Sequence, residues 1–281
     1  MSVQHSGESA GDAAARTAAP VMEVFASIQG EAAFVGEPQA FLRLRGCPVR
    51  CRWCDTPGSL RVGGSDRARI AATAERGGPR REDPWATPFR AACWIAEVEP
   101  GAPRTVSVTG GEPLLWPEFL LGLKSMLSPR RLHLETAGAH PRTLARVIDA
   151  FDHVSLDLKA DLDLDLPVEI EEGAFRTPEK APRTRAEWRA AREACLALVS
   201  GRDACGKIVV SGERSPDDFA PLLDEVEKCA PGLTVYLQPA TPMGGCTAPS
   251  PATLAWIVEM ARDRDLTVRV VPQVHRALGI P

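Results

Sequence analysis

The sequence predicts an α/β fold, a partial (β/α)6-type barrel of parallel strands with its functional rim at the C-terminal strand ends. Two observations predict it. From Thr105 onward, short apolar segments alternate with helix-length amphipathic ones, the signature of βαβ units and a parallel sheet. The unusual residue clusters follow the C-terminal ends of those strands, where such folds gather function.

Taken in order, Val21 to Ile28 reads as a strand closed by Gln29-Gly30-Glu31, and Phe41 to Leu44 as a second that runs into Gly46-Cys47. Glycines, prolines and arginines then break the pattern, so 57–104 reads as an irregular insertion with one helix near Phe89 to Val98. Regular alternation follows. The strands are Thr105 to Val108, Arg131 to Glu135, Val154 to Leu158, Lys207 to Val210, Thr234 to Leu237 and Thr267 to Val271. Between them lie helices at Phe119 to Leu127, Thr143 to Ala150, Arg185 to Val199, Asp217 to Cys229 and Pro251 to Arg264. The acidic run Asp161 to Glu172 reads as a solvated loop. No G-x-G-x-x-G follows the first strand, which argues against a dinucleotide-binding domain.

With 281 residues, 44% of them hydrophobic, the chain can bury a substantial core. Residues 1–20, rich in Ala, Ser and Gly, read as a disordered tail ahead of a single domain over 21–281. The tail lacks the basic and apolar regions of a secretory signal, so a cytoplasmic location is expected. A net charge of −4 argues against a general nucleic-acid coater. The longest apolar run, Leu114 to Leu123, is interrupted by Pro117, Glu118 and Gly122. It falls short of the roughly 20 residues that span a bilayer.

Of eight cysteines, Cys47, Cys51 and Cys54 form a C-x3-C-x2-C loop, which reads as metal or redox chemistry rather than disulfides. Structural zinc sites normally close with four protein ligands, and no fourth Cys or His is near. Two readings follow: a zinc-stabilised interaction module completed by a distant ligand, or a cluster with one metal position open for chemistry. Thr109-Gly110-Gly111-Glu112-Pro113 ends the next strand. Its turn offers N–H donors and a carboxylate to a ligand bearing an amino group. Asp157 and Lys159, two apart, project to one side, as a ligand clamp or a rim salt pair. Glu135-Thr136 and Gln238-Pro239 stand at equivalent rim positions.

The C-x3-C-x2-C loop after a strand, together with the GGE-type turn, resembles the radical S-adenosylmethionine superfamily. The resemblance implies a 4Fe–4S cluster on Cys47, Cys51 and Cys54, with S-adenosylmethionine on its fourth iron. It implies cofactor contacts from Trp53, Asp55, Gly110, Gly111, Glu112, Asp157, Lys159 and Gln238. Three further stretches narrow it: Glu23-Val24-Phe25-Ala26-Ser27-Ile28-Gln29-Gly30-Glu31, Phe41-Leu42-Arg43-Leu44-Arg45-Gly46-Cys47, and the segment from Gln273 to Pro281. They are similar to the 7-carboxy-7-deazaguanine synthases of queuosine biosynthesis. That family converts 6-carboxy-5,6,7,8-tetrahydropterin into 7-carboxy-7-deazaguanine and ammonia.

The resemblance implies a pterin pocket from Ile28, Gln29, Gly30, Glu31, Arg43, Thr109, His275 and the carboxylate of Pro281, with Thr56 as a Mg²⁺ ligand. Arg43 offers a planar fork suited to the substrate carboxylate. A flavodoxin or ferredoxin as electron donor and a homodimer are likewise implied, with no nucleic-acid or membrane partner. The sequence departs from the family pattern at Ala32, where glycine is usual, at Pro48, where asparagine is common, and at Asp157-Leu158-Lys159, where a Ser-Pro-Lys type turn is often seen. The Asp157/Lys159 pair is similar to the activases that generate a glycyl radical on a partner enzyme, which is the alternative reading.

Overall fold

The computed structural model describes residues 17–72, 77–101, 104–165, 179–243 and 245–280. In chain order the elements are β1 (Ala19–Ile28), β2 (Pro38–Leu44), β3 (Arg50–Cys51), β4 (Ala68–Ala71), β5 (Pro79–Glu82), β6 (Trp85–Ala86), α1 (Pro88–Val98), β7 (Val106–Gly110) and α2 (Pro117–Leu127). There follow β8 (Leu132–Thr136), α3 (Pro141–Val147), β9 (His153–Asp157), β10 (Leu164–Asp165), α4 (Arg185–Val199), β11 (Ala204–Val210), α5 (Ala220–Cys229), β12 (Thr234–Pro239), α6 (Pro251–Arg262), β13 (Val268–Val270) and α7 (Val274–Leu278).

One sheet runs in the order β13-β12-β11-β9-β8-β7-β2-β1-β4-β5. From β2 across to β13 every neighbouring pair is parallel. Each step between these strands passes through one helix, from α1 to α6 in turn. The expected barrel is therefore present, with β13 as a short additional strand. The crossover helices earn their place by a buried stripe at helical spacing. In α1 the stripe is Ala91, Trp94, Ile95 and Val98, and Thr87 caps its first turn by accepting from the Arg90 N–H. In α4 a Thr184/Glu187 capping box starts the helix, and Trp188, Ala191, Cys195, Leu196 and Val199 face the core.

Three expectations are corrected. The segment 57–104 carries the expected helix, α1, which is the first crossover helix, but it is not irregular before it: it also contributes β4, β5 and β6. Those strands escape a reading by apolar pattern because β5 is Pro79-Arg80-Arg81-Glu82. Its charge suits an edge strand, where it discourages pairing with another chain. Second, β1 begins at Ala19, inside the segment read as a tail, and both Ala19 and Pro20 are buried; residues 1–16 lie outside the described residues. Third, the start of the acidic run is not solvated. Asp163 is buried and accepts from Arg214 Nε at 2.7 Å, while Leu164–Asp165 pairs with Arg50–Cys51; the run from 166 to 172 lies outside the described residues.

Candidate active site at the C-terminal rim

The cysteine loop leaves the end of β2 through Gly46, whose φ of +91° suits glycine. It is tied down along its length. Gly46 N–H donates to Ser59 O at 2.8 Å, Arg52 N–H to Asp163 O at 3.0 Å, and the Arg50 guanidinium to the carbonyls of Cys47 and Val49 at 2.8 and 2.9 Å. The three cysteines are free thiols and line one cavity of about 970 Å³, counting its open mouth. Burial pushes the thiols of Cys47 and Cys51 up, the latter to about 11, while the Lys159 ammonium pulls both back. Thiols so placed need a metal's charge to exist as thiolates.

Among the described residues, the one trio of metal-ligating side chains whose ligand atoms all lie within 4.8 Å of one another is Glu31, Asp55 and His275. The three thiols stand apart from it, in a cavity wall that holds no fourth Cys or His among the described residues, so a metal centre on them would keep a position for an outside ligand.

The TGG turn lies against this loop, and its glycines are obligatory there. A Cβ on Gly110 would fall 2.3 Å from Leu44 O, and one on Gly111 would fall 2.2 Å from Gly46 O. Thr109, Gly110 and Gly111 face the cavity. Glu112 does not, which corrects the expectation of a carboxylate offered to the cofactor. Its side chain is fully buried and accepts from Leu114 N–H, Thr136 Oγ1 and Ala137 N–H at 3.0, 2.7 and 2.9 Å. It joins the turn after β7 to the turn after β8.

Trp53, Asp55, Thr56, Asp157, Lys159 and Gln238 line the same cavity. Asp157 and Lys159 do project together, with Lys159 Nζ 3.0 Å from Asp157 Oδ2 and 4.5 Å from the centre of the Trp53 ring. Burial works against the charge on Asp157, yet Lys159 and Lys207 hold its carboxyl below the usual range. Thr56 donates to its neighbour Asp55 at 2.9 Å, which puts a hydroxyl and a carboxylate side by side.

A second pocket, of about 400 Å³, adjoins the first and shares Glu31, Arg43, Asp55, Thr109 and Glu135 with it. Ile28, Gln29, Gly30, Glu31, Arg43, Thr109 and His275 all line it, so the fold gathers seven residues drawn from four separate stretches of sequence. Pro281 lies outside the described residues. Phe25 and Phe41, opposite each other on β1 and β2, stack with centroids 5.0 Å apart and give the pocket a flat aromatic wall. Arg43 is steadied by Glu23, which accepts from its Nε at 3.0 Å. Gln29 donates to Glu135 Oε1 at 2.7 Å and accepts from Glu31 N–H at 3.2 Å. Ala32 adopts a φ of +52°, a left-handed conformation that costs a residue other than glycine about 1 kcal/mol.

Sequence reasoning missed Lys207 and Gln273 and undervalued Glu135. Lys207 stands in register with Asp157 across β9 and β11, its Nζ 2.5 Å from Glu31 Oε2 and 3.0 Å from Asp157 Oδ1. Gln273 donates to Glu31 Oε1 at 2.7 Å and to Asp55 Oδ2 at 3.1 Å. The one available signal was a lysine within an otherwise apolar strand, Ala204–Val210.

Comparison with known proteins gives the family. The family model described as Radical SAM superfamily matches residues 42–226. A 7-carboxy-7-deazaguanine synthase of Methanothermobacter thermautotrophicus is 30% identical over 269 residues, covering 93% of this chain and 98% of that protein. A protein of the same name from Methanopyrus kandleri is 32% identical over 265 residues, covering 91% of this chain and 92% of that protein. Among solved structures, QueE from Escherichia coli matches with a TM-score of 0.54 at 20% identity, over 95% of this chain and 99% of that one, which speaks to the fold. The zinc-module reading does not survive these likenesses. Built around a three-thiol rim with a flat polar pocket beside it, the chain belongs to the radical SAM superfamily and, within it, to the 7-carboxy-7-deazaguanine synthase family.

Proposed function

We propose that the protein is a radical SAM lyase that converts 6-carboxy-5,6,7,8-tetrahydropterin into 7-carboxy-7-deazaguanine and ammonia, in 7-deazapurine (queuosine) biosynthesis. The observation that carries the reading is the second pocket. It is flat and aromatic on one side, rimmed by Gln29, Glu31 and Glu135, closed by Arg43, and opens into the thiol-lined cavity. A planar heterocycle with many hydrogen-bonding edges and one carboxylate matches it.

Cys47, Cys51 and Cys54 hold the 4Fe–4S cluster. Gly110, Gly111, Trp53, Asp55, Asp157, Lys159 and Gln238 hold S-adenosylmethionine. When bound, cluster and S-adenosylmethionine supply the one-electron chemistry that starts the ring contraction. The chain's own residues orient and exclude water. Arg43 pairs with the substrate carboxylate, Gln29 and Glu31 read the pterin edge with the Ile28–Gly30 backbone, Thr109 adds a hydroxyl, and His275 closes the pocket. The terminal carboxylate of Pro281 belongs to the same proposal. Thr56, with the Asp55 carboxylate beside it, presents hard oxygen ligands to Mg²⁺. A flavodoxin or ferredoxin as reductant, a homodimer and a cytoplasmic location complete the proposal; no helix among the described residues is long and apolar enough to cross a membrane.

The test is one anaerobic incubation of iron- and sulfide-reconstituted protein with S-adenosylmethionine, Mg²⁺, a strong reductant and the pterin, read by mass spectrometry. Formation of 7-carboxy-7-deazaguanine without net consumption of S-adenosylmethionine supports the reading. Accumulation of 5′-deoxyadenosine and methionine with no pterin product rejects it and favours the activase alternative.

A further inference from the structure

The two pockets adjoin, and one ammonium serves both. Lys207, itself in the wall of the thiol-lined cavity, has its Nζ 2.5 Å from Glu31 Oε2, a carboxylate that lines both pockets, and 3.0 Å from Asp157 Oδ1, which lines the thiol-lined cavity. The lysine is almost wholly buried. Each carboxylate has its other oxygen engaged elsewhere: Glu31 Oε1 accepts from Gln273, and Asp157 Oδ2 from Lys159. Lys207 is thus the sole direct bridge between them among the described residues.

We infer that Lys207 is a positioning residue that couples occupancy of the cofactor cavity to occupancy of the pterin pocket. The inference rests on the pocket assignments proposed above. A buried ammonium between two carboxylates can lean toward either one. A ligand hydrogen-bonded to Asp157 fixes that carboxylate and, through Lys207, the orientation of Glu31. The second ligand then meets a carboxylate already ordered, and binds more tightly by the ordering cost it no longer bears. Coupling of this kind is reciprocal: each ligand improves the other's affinity by the same factor. Burial opposes the lysine's charge, but Asp157, Glu31 and Glu135 hold it protonated. The bridge is therefore ionic throughout the ordinary pH range.

The experiment is a pair of anaerobic calorimetric titrations on the reconstituted holoprotein. S-adenosylmethionine is titrated with and without 6-carboxytetrahydropterin, and the pterin with and without S-adenosylmethionine. In the unmodified protein each ligand tightens the other by about 5-fold or more. Lys207→Met brings that factor to about 1, and Lys207→Arg, which keeps the charge and both contacts, restores most of it. Lys207→Gln, which keeps a hydrogen-bonding side chain without the charge, also brings the factor to about 1, and it decides the matter should Lys207→Met fail to fold. Coupling that persists in folded Lys207→Met or Lys207→Gln overturns the inference, as does its absence from the unmodified protein when both ligands bind. Failure of the pterin to bind the unmodified protein at all rejects the substrate reading instead.

Discussion

The imidazole of His275 occupies the space that a side chain at residue 30 would need: a Cβ built on Gly30 falls 1.9 Å from His275 Nδ1. The backbones are joined at the same place, with Val274 N–H donating to Gly30 O at 2.9 Å. Gly30 is therefore required by close approach. Gly30→Ala is expected to push the ring out of the pocket, raising the KM for the pterin by about 10-fold or more. Binding of S-adenosylmethionine, measured by calorimetry, stays within about 2-fold. An unchanged KM would mean that the ring has no part in the pocket.

Arg43 owes its orientation to Glu23, directly opposite it on β1. Arg43→Ala is expected to raise the pterin KM by about 100-fold, the value of roughly 3 kcal/mol for a charge-assisted pair, with little effect on S-adenosylmethionine. Glu23→Gln, which keeps the shape but loosens the guanidinium, is expected to give a smaller change in the same direction. Steady-state kinetics across the two variants check the ordering.

Cys54 sits at the end of the loop and is half-buried, so its replacement leaves the fold standing. Cys54→Ala is expected to keep its circular dichroism spectrum yet lose the intact cluster and all turnover. Iron and sulfide analysis after reconstitution decides it, and full retention of both would remove the cluster from this loop.

Arg192, 1% exposed, binds Glu225 through two nitrogens at 2.8 and 2.7 Å, Asp161 at 2.6 Å and the Lys159 carbonyl at 3.2 Å. Arg192→Met leaves the buried Glu225 with only the exposed Arg189, 3.6 Å away, and is expected to cost about 3 kcal/mol. Arg192→Met with Glu225→Met restores much of that loss. Urea denaturation of the three proteins measures both effects.

His140 is buried with neither ring nitrogen paired among the described residues, and burial lowers it from 6.5 to about 4. The unfolded chain takes up a proton below pH 6.5 that the folded chain refuses until about pH 4. Stability from this group is complete above pH 6.5 and is lost as pH falls toward 4. By pH 5 the loss is about 2 kcal/mol. His140→Leu is expected to shrink the difference in unfolding free energy between pH 7.5 and pH 5 by about that amount, as read from denaturation at both pH values. Glu112 and Glu135, pushed the opposite way by burial, are common to both proteins and cancel in the comparison.

The barrel was legible because its central strands are short, almost continuously buried apolar runs that alternate with helices carrying a buried stripe, from Val106–Gly110 through Thr234–Pro239. β5 was not, since an edge strand of Pro79-Arg80-Arg81-Glu82 has no apolar face to announce it. The pocket residues were legible only through motif resemblance; alone, Gln29 and Arg43 look like ordinary polar side chains. Glu112 misled because a carboxylate beside two glycines resembles a ligand, whereas its partners Thr136 and Ala137 come from the next strand's end. Asp163 misled for a similar reason: Arg214, which covers it, lies 51 residues away. Lys207 acquires meaning only when β9 and β11 lie side by side.

Trp53, Lys159, Asp157, Lys207, Glu31, Gln273 and Asp55 form a closed circuit that leaves the cysteine loop at one residue and re-enters it two residues later. A ring has no free end from which to fray. No arc of it stands alone, because its members come from the two ends of the chain and from strands in between. The loop's shape therefore depends on β9, β11 and the segments around Glu31 and Gln273 together, and a disturbance in any one of them is felt at the cysteines.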